Sequence, residues 1–481
     1  MRFAALLAVL PALAATWPQF RGPRGSGIAD GVRLPDEISP SANVVWRTAL
    51  PAGHSSPVIA GDVIFLTGAE GGQRVDAGLD KLVDEGGKLY TFALDRHTGS
   101  VRWRREAPRP RLERYQPTNS PASPTPVTDG RNVYVFFGDY GLLSYDAEGG
   151  ERWRLPLGPF NNVNGHGSSP ILAGGRVILL CDQDTGSYLL AVDKDTGKVA
   201  WKVERPEFTR SYTTPALYQP KRGPAELIVA GSYQLTAYDA RTGEKRWWVL
   251  GLSWQPKSVP IFGDDLIYAH WWEAGGEVET PAEVETFAEV LARYDRNGDR
   301  LLTAEELKEF LPNPRAIVNA DLNADGFLDE REWNNHRARR ASRNRLIAVR
   351  HGGRGDLTGS GVVWSMQKFL PNCPSPLLYQ GILYLVKDGG ILTAVESRTG
   401  AILKQGRLNG ALDTYYASPV AGAGKVYFFS QKGKAVVVRA GAEWEQLSTG
   451  DFDEEIYATP AIAGNRMYVR TRNALYCFEA K

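Results

Sequence analysis

The chain has 481 residues and a formal net charge of +1, with 51 glycines, 30 prolines and 10% aromatic residues. This charge balance provides no global field for nucleic acid or an anionic membrane, and the turn-rich composition favours an all-β body over a helical one. The three cysteines, Cys181, Cys373 and Cys477, are too few and too scattered for a disulfide framework, so stability must come from a large core.

Met1-Arg2 leads into an apolar run from Phe3 to Leu13, and Ala12-Leu13-Ala14 has the small-x-small form of a cleavage site. The pattern predicts a signal peptide over 1–15 and an exported protein, periplasmic or secreted. The run is shorter than the roughly twenty residues that span a bilayer, so no transmembrane segment is expected.

Beyond it, one unit recurs. Ala93-Leu94-Asp95 leads through Thr98-Gly99 to Trp103, Ala191-Val192-Asp193 through Thr196-Gly197 to Trp201, and Ala237-Tyr238-Asp239 through Thr242-Gly243 to Trp247. Looser copies end on Trp153 and Trp364, and a sixth, after Thr399-Gly400, has Lys404 in the Trp place. The Asp accepts backbone amides in a tight turn, Gly supplies its positive φ, and Trp offers a flat face to a neighbouring sheet. Each unit is preceded by a proline that opens a strand, usually after a small polar residue: Pro57, Pro126, Pro170, Pro215, Pro260, Pro376, Pro419 and Pro460. Their spacing clusters at 41 to 45 residues, the size of a four-stranded propeller blade, with longer gaps of 69 and 116 that mark insertions in blades one and five. Eight markers predict an eight-bladed β-propeller. After Pro460 only three strands remain, and Val44-Val45-Trp46-Arg47 supplies the fourth, so the ring is expected to close by joining its two ends.

This repeat resembles the pyrroloquinoline-quinone-like propeller family, across nearly all of the chain outside the two insertions. The opening Trp17-Pro18-Gln19-Phe20-Arg21-Gly22-Pro23 is similar to the start of exported bacterial members. The resemblance implies either a scaffold, as in relatives that assemble outer-membrane proteins, or a quinone-dependent dehydrogenase.

In blade five the pattern turns helical after Thr280-Pro281, with Val284, Phe287, Val290 and Leu291 on one face. Two twelve-residue loops follow with the spacing of EF-hands. The first offers Asp295, Asn297, Asp299, the Leu301 carbonyl, Thr303 and Glu306; the second offers Asp321, Asn323, Asp325, the Phe327 carbonyl, Asp329 and Glu332. Alternate oxygens of a tight loop converge on one point, as calcium requires. The sixth position is Gly326 in the second loop but Arg300 in the first, which predicts weaker binding there. The expected divisions are 16–272 and 344–481 for the propeller and 273–343 for the EF-hand pair. Its terminal run of arginines, from Arg337 to Arg343, is expected to be a solvated helix face.

Before the marker prolines stand His54, Asn119, His166, Tyr212, Lys257, Cys373, Tyr416 and Tyr457, which are placed to line the mouth of a central channel. No catalytic motif accompanies them. A quinone would need a stacking aromatic, for which Trp254 or Trp271-Trp272 are candidates, and a nearby cation; no residues map its remaining contacts. The reading that follows is a monomeric, calcium-holding scaffold that binds a protein, peptide or carbohydrate outside the cytoplasm. A pyrroloquinoline-quinone-dependent oxidoreductase acting on alcohols or sugars is the alternative, and a calcium-gated sensor a third.

Overall fold

The computed structural model describes residues 16–481 apart from 79, 221, 264, 277–282 and 312–313. The expected signal peptide, 1–15, and the Thr280-Pro281 helix start lie outside the described residues.

Eight sheets, each with four antiparallel strands, follow one another around a ring, giving the eight-bladed propeller that the marker prolines predicted; blades four and seven each gain a short parallel strand. In blade three, Ile171–Ala173, Arg176–Cys181, Tyr188–Asp193 and Val199–Glu204 pair in sequence order from the channel outwards. The two middle strands are buried almost throughout because neighbouring blades cover both their faces. Val177, Leu179 and Cys181, for example, pack into Tyr134, Phe136 and Leu142 of blade two.

The recurrent Trp and Gly join one blade to the next. Trp103 Nε1 donates to Ala147 O at 2.8 Å and Trp153 Nε1 to Lys194 O at 2.9 Å, each reaching the turn of the following blade. The glycine of that turn lies against the same indole: a Cβ on Gly149 would stand 2.7 Å from Trp103. Where Lys404 replaces Trp, its ammonium lies 4.8 Å from the centroid of Trp444 and donates to the Trp444 carbonyl at 2.8 Å.

Val44–Ala49 pairs with Ala474–Glu479, with Trp46 opposite Cys477, so the two chain ends share blade eight as expected. Blade five interrupts its sheet between Leu266–Trp271 and Arg345–Arg350. Helices α1 (Phe287–Tyr294), α2 (Ala304–Leu307), α3 (Pro314–Ala320) and α4 (Glu330–Ala341) fill that gap around their own core of Phe287, Val290, Leu302, Leu328 and Trp333. Among the described residues no helix is long and apolar enough to cross a membrane.

Candidate functional site: a floored cavity on the propeller axis

In seven of the eight blades a hydroxyl residue stands immediately before the proline that leads into the innermost strand, and these hydroxyls tie the blades together. Ser56 N donates to Thr125 Oγ1 at 2.9 Å, Thr125 N to Ser169 Oγ at 2.9 Å, and Ser169 N to Thr214 Oγ1 at 3.0 Å. A second arc runs from Val259 N to Ser375 Oγ, Ser375 N to Ser418 Oγ and Ser418 N to Thr459 Oγ1, at 2.9 to 3.0 Å. Val259, which lacks a hydroxyl, breaks the ring at blade five. At the closing seam Ser56 Oγ is buried and has no hydrogen-bond partner among the described residues.

The N-terminal segment crosses this ring. Trp17 bridges to Ile59 of blade one, Pro18 O accepts Thr128 N of blade two, Arg21 reaches the carbonyls of Ser375 and Pro376 in blade six, and Ile28–Ala29 adds a parallel strand to blade seven. Blades two and six are opposite in an eight-membered ring, so the segment spans the axis and floors the channel. The Trp-Pro-Gln-Phe-Arg-Gly-Pro opening is thus structural. Gly22 takes φ 68° where a Cβ would stand 2.5 Å from the Trp17 ring, and Arg21 is fully buried on carbonyls alone, which lowers its pKa to about 9.

Above the floor is a cavity of about 710 Å³ with Phe20 in its lining. Of the residues expected at the channel mouth, His54, Asn119, Tyr212, Lys257, Cys373, Tyr416 and Tyr457 line it. His166 does not. Its ring is buried between Phe136 and Phe160, at centroid distances of 5.1 and 4.4 Å, and Gly167 takes its place on the wall. Burial pushes the His166 pKa down to about 3, so the imidazole is neutral.

The wall has distinct sectors. His54 stacks on Tyr457, with centroids 4.1 Å apart and planes 16° from parallel, and Tyr416 also packs against Tyr457, tilted by 50° at a centroid distance of 5.1 Å. Burial, reinforced by Arg470, lowers the His54 pKa to about 3. Across the ring, Lys257 Nζ is 3.5 Å from the Trp272 carbonyl and 5.8 Å from the Trp272 ring centroid. Burial lowers the Lys257 pKa, and burial pushes the neighbouring Cys373 thiol up to about 11.

Both insertions reach this mouth. They occupy the same place in their blades, between the second and third strands, which turn at the end where the innermost strands begin. The blade-one insertion brings Asp80 and Lys81 to the lining; the blade-five insertion brings Glu273, Asn319 and Arg339. Arg339, expected on a solvated face, instead lies 4.3 Å from the Trp254 ring centroid and pairs with Glu273. The blade-five insertion is also bonded to blades three and four: Asn161 Nδ2, in the segment entering blade three, donates to Leu322 O at 2.7 Å, Arg331 to Asp184 O at 2.9 Å, and Tyr233 OH to Asn335 Oδ1 at 3.0 Å.

The two loops fold alike. Their eighth residues, Leu302 and Leu328, pair in a short antiparallel ladder. In the second loop Asp321 accepts Gly326 N, Asn323 accepts Asp325 N and Asp325 accepts Phe327 N, at 2.9 to 3.0 Å, and the first loop repeats these bonds through Asp295, Asn297 and Asp299. Thr303 and Asp329 cap α2 and α4 in capping boxes closed by Glu306 and Glu332. Among the described residues no three His, Cys, Asp or Glu side chains gather as a metal cluster. The donor set nonetheless fits calcium better in the second loop, where Asp321 Oδ1 is buried without a hydrogen-bond partner. Arg300 takes φ 65°, the left-handed conformation that Gly326 adopts at 87°.

Neither Trp254 nor Trp271 is free to stack on a ligand. Both are fully buried, donating to Thr209 Oγ1 at 2.6 Å and to Gly231 O at 2.9 Å, and only Trp272 reaches the cavity. The cavity carboxylates are Asp80 and Glu273, one from each insertion, and Glu273 is held by Arg339. All three cysteines are free and none is adjacent to another. This set does not fit a quinone held with a catalytic cation. Sequence reasoning missed the floor and the hydroxyl arcs, although the residue before each marker proline carried the signal for the arcs.

The family described as outer membrane protein assembly factor BamB matches residues 38–166, 85–250 and 288–481. No curated protein matches the chain. Among solved structures, a europium-containing methanol dehydrogenase is 10% identical, with a TM-score of 0.59 over 97% of this chain and 98% of that one. The quinohemoprotein alcohol dehydrogenase of Comamonas testosteroni is 11% identical, with a TM-score of 0.56 over 97% and 81%. BamB from Moraxella catarrhalis is 12% identical, with a TM-score of 0.50 over 86% and 98%. At these identities the likeness is one of fold.

Proposed function

The chain belongs to the family described as outer membrane protein assembly factor BamB, and from that premise we propose that it is an exported propeller scaffold that binds a partner outside the cytoplasm through the mouth of its axial cavity. The observation that carries this reading is that both departures from the repeat, in blades one and five, deliver side chains to the same cavity. A fold built of near-identical blades is expected to carry its function where the repeat is broken.

Calcium belongs to this reading as a clip. Asp321, Asn323, Asp325, the Phe327 carbonyl, Asp329 and Glu332 would hold the ion, which supplies no chemistry beyond fixing the loop. That loop is bonded through Leu322 to Asn161 in the segment entering blade three, and α4, which starts at its end, carries Arg339 to the cavity wall. At extracellular calcium levels such a site is occupied throughout, which favours a fixed module over a gate.

The alternative, a pyrroloquinoline-quinone-dependent oxidoreductase, shares the fold of the dehydrogenases above but not a donor set suited to the cofactor. The test is to add calcium and pyrroloquinoline quinone to the purified protein, then record bound chromophore and dye reduction with alcohols and sugars. No bound chromophore and no turnover are expected; quinone binding with turnover would overturn the scaffold reading.

A further inference from the structure

Resting on the reading of the cavity as the partner site, we infer that it takes a sugar acid: a polyhydroxylated ring bearing a carboxylate, as in a uronate residue.

Three features of the wall select this chemistry. The first is a cation without a carboxylate partner. Arg210 is paired with Asp184, Arg339 with Glu273, and Lys81 donates to Gln116 Oε1 at 2.5 Å, but among the described residues Lys257 has only the Trp272 carbonyl at 3.5 Å. Its electrostatic neighbours are the Cys373 thiol and Glu273, which already belongs to Arg339. A desolvated ammonium in this position gains most from a ligand carboxylate, because charge-assisted bonds strengthen where water is excluded.

The second feature is the aromatic sector. Blade one lies opposite blade five in the ring, so the His54–Tyr457 stack, extended by Tyr416, faces Lys257 across the cavity. His54 is neutral there and adds no second cation. A ligand gripped at both walls therefore presents a flat, weakly polar face on one side and an anion on the other.

The third is the pair of hydroxyl arcs beneath. Thr125, Ser169, Thr214, Ser375, Ser418 and Thr459 each accept a backbone amide, and among the described residues none of them donates its own proton to a protein acceptor. All six line the cavity. O–H groups used as acceptors by the chain remain donors to a ligand, and several together favour one rich in oxygen acceptors. A ring of hydroxyls and ether oxygens bearing a carboxylate meets all three demands; an acidic peptide meets the first alone.

Calorimetric titration of the full protein with α-1,4-trigalacturonate, and with its neutral methyl ester, tests the inference. The acid is expected to bind and the ester to bind about tenfold more weakly or worse, a loss of the size carried by one charge-assisted bond. Lys257→Gln should lose the same factor for the acid and little for the ester, and rising salt should weaken only the acid. Equal binding of acid and ester, or binding of neither, overturns the inference. The ester comparison uses the unaltered protein, so it holds even if Lys257→Gln folds poorly. Failure of both sugars leaves the scaffold reading standing, because that reading falls only to quinone-dependent turnover.

Discussion

Gly197, in the turn of blade three, lies against the indole of Trp153 from blade two: at φ 72°, a Cβ there would stand 2.8 Å from the ring. The residue that permits the turn also permits the blade contact. Gly174, in the same blade, has φ 54° but nothing within 4 Å of a Cβ. Gly174→Ala should therefore cost only the left-handed backbone, about 1–2 kcal/mol. Gly197→Ala adds overpacking of about 1–3 kcal/mol. Urea unfolding of the two variants separates the terms; equal losses would show that the Trp contact carries none of the stability.

Arg205 and Asp182 form a wholly buried pair, 2.7 Å from Nε to Oδ1 and 2.9 Å from Nη2 to Oδ2, with Ser211 Oγ donating to Asp182 at 2.9 Å. Arg205→Met leaves a buried carboxylate facing one hydroxyl and should cost about 3–5 kcal/mol. The double variant Arg205→Met, Asp182→Leu should recover much of that loss. Thermal unfolding of both checks the prediction.

His166 and His270 are buried, and burial holds their pKa values at about 3 and about 4. Both folded values lie below the unfolded value of about 6.5. The contribution is therefore complete above pH 6.5 and is lost as pH falls towards 4, at up to about 1.4 kcal/mol per pH unit for each histidine. His166→Leu should flatten the fall of Tm between pH 6.5 and 4. An unchanged slope would mean that His166 does not stay neutral in the fold.

Calcium titration of the whole chain should resolve a tighter second loop and a weaker first. Arg300→Gly relieves a left-handed arginine, a gain of about 1 kcal/mol, and should tighten the first site about fivefold. Asp321→Asn should weaken the second. Chelation should lower Tm. If Arg300→Gly left the first site unchanged, backbone strain would not be what weakens it.

Much of the fold was legible because the repeat is a set of local rules. Asp95, Gly99 and Trp103 name their turn and their blade contact, and Trp46 at the other end of the chain announces the closing strand. The floor was not legible, since Pro18 and Gly27 act through their own carbonyls and the Arg21 guanidinium binds backbone carbonyls, which no side-chain pattern encodes. His166 was misplaced by one residue: in blade three the wall position falls on Gly167, and the imidazole turns into the Phe136–Phe160 cleft. The convergence of Lys81 and Arg339 on one cavity became visible only once both insertions were found at the same turn of their blades.

Solvent reaches the axial cavity, and Cys373 stands on its wall. Cys181 and Cys477 are buried within blades three and eight, whereas Cys373 is partly exposed. Mass-spectrometric mapping of N-ethylmaleimide modification on the native protein at pH 8 tests this directly. The structure predicts slow reaction at Cys373 alone, slowed because burial pushes its thiol up to about 11, with the other two thiols reacting only on unfolding. A Cys373 as inert as Cys181 and Cys477 would contradict the open cavity and the site built on it.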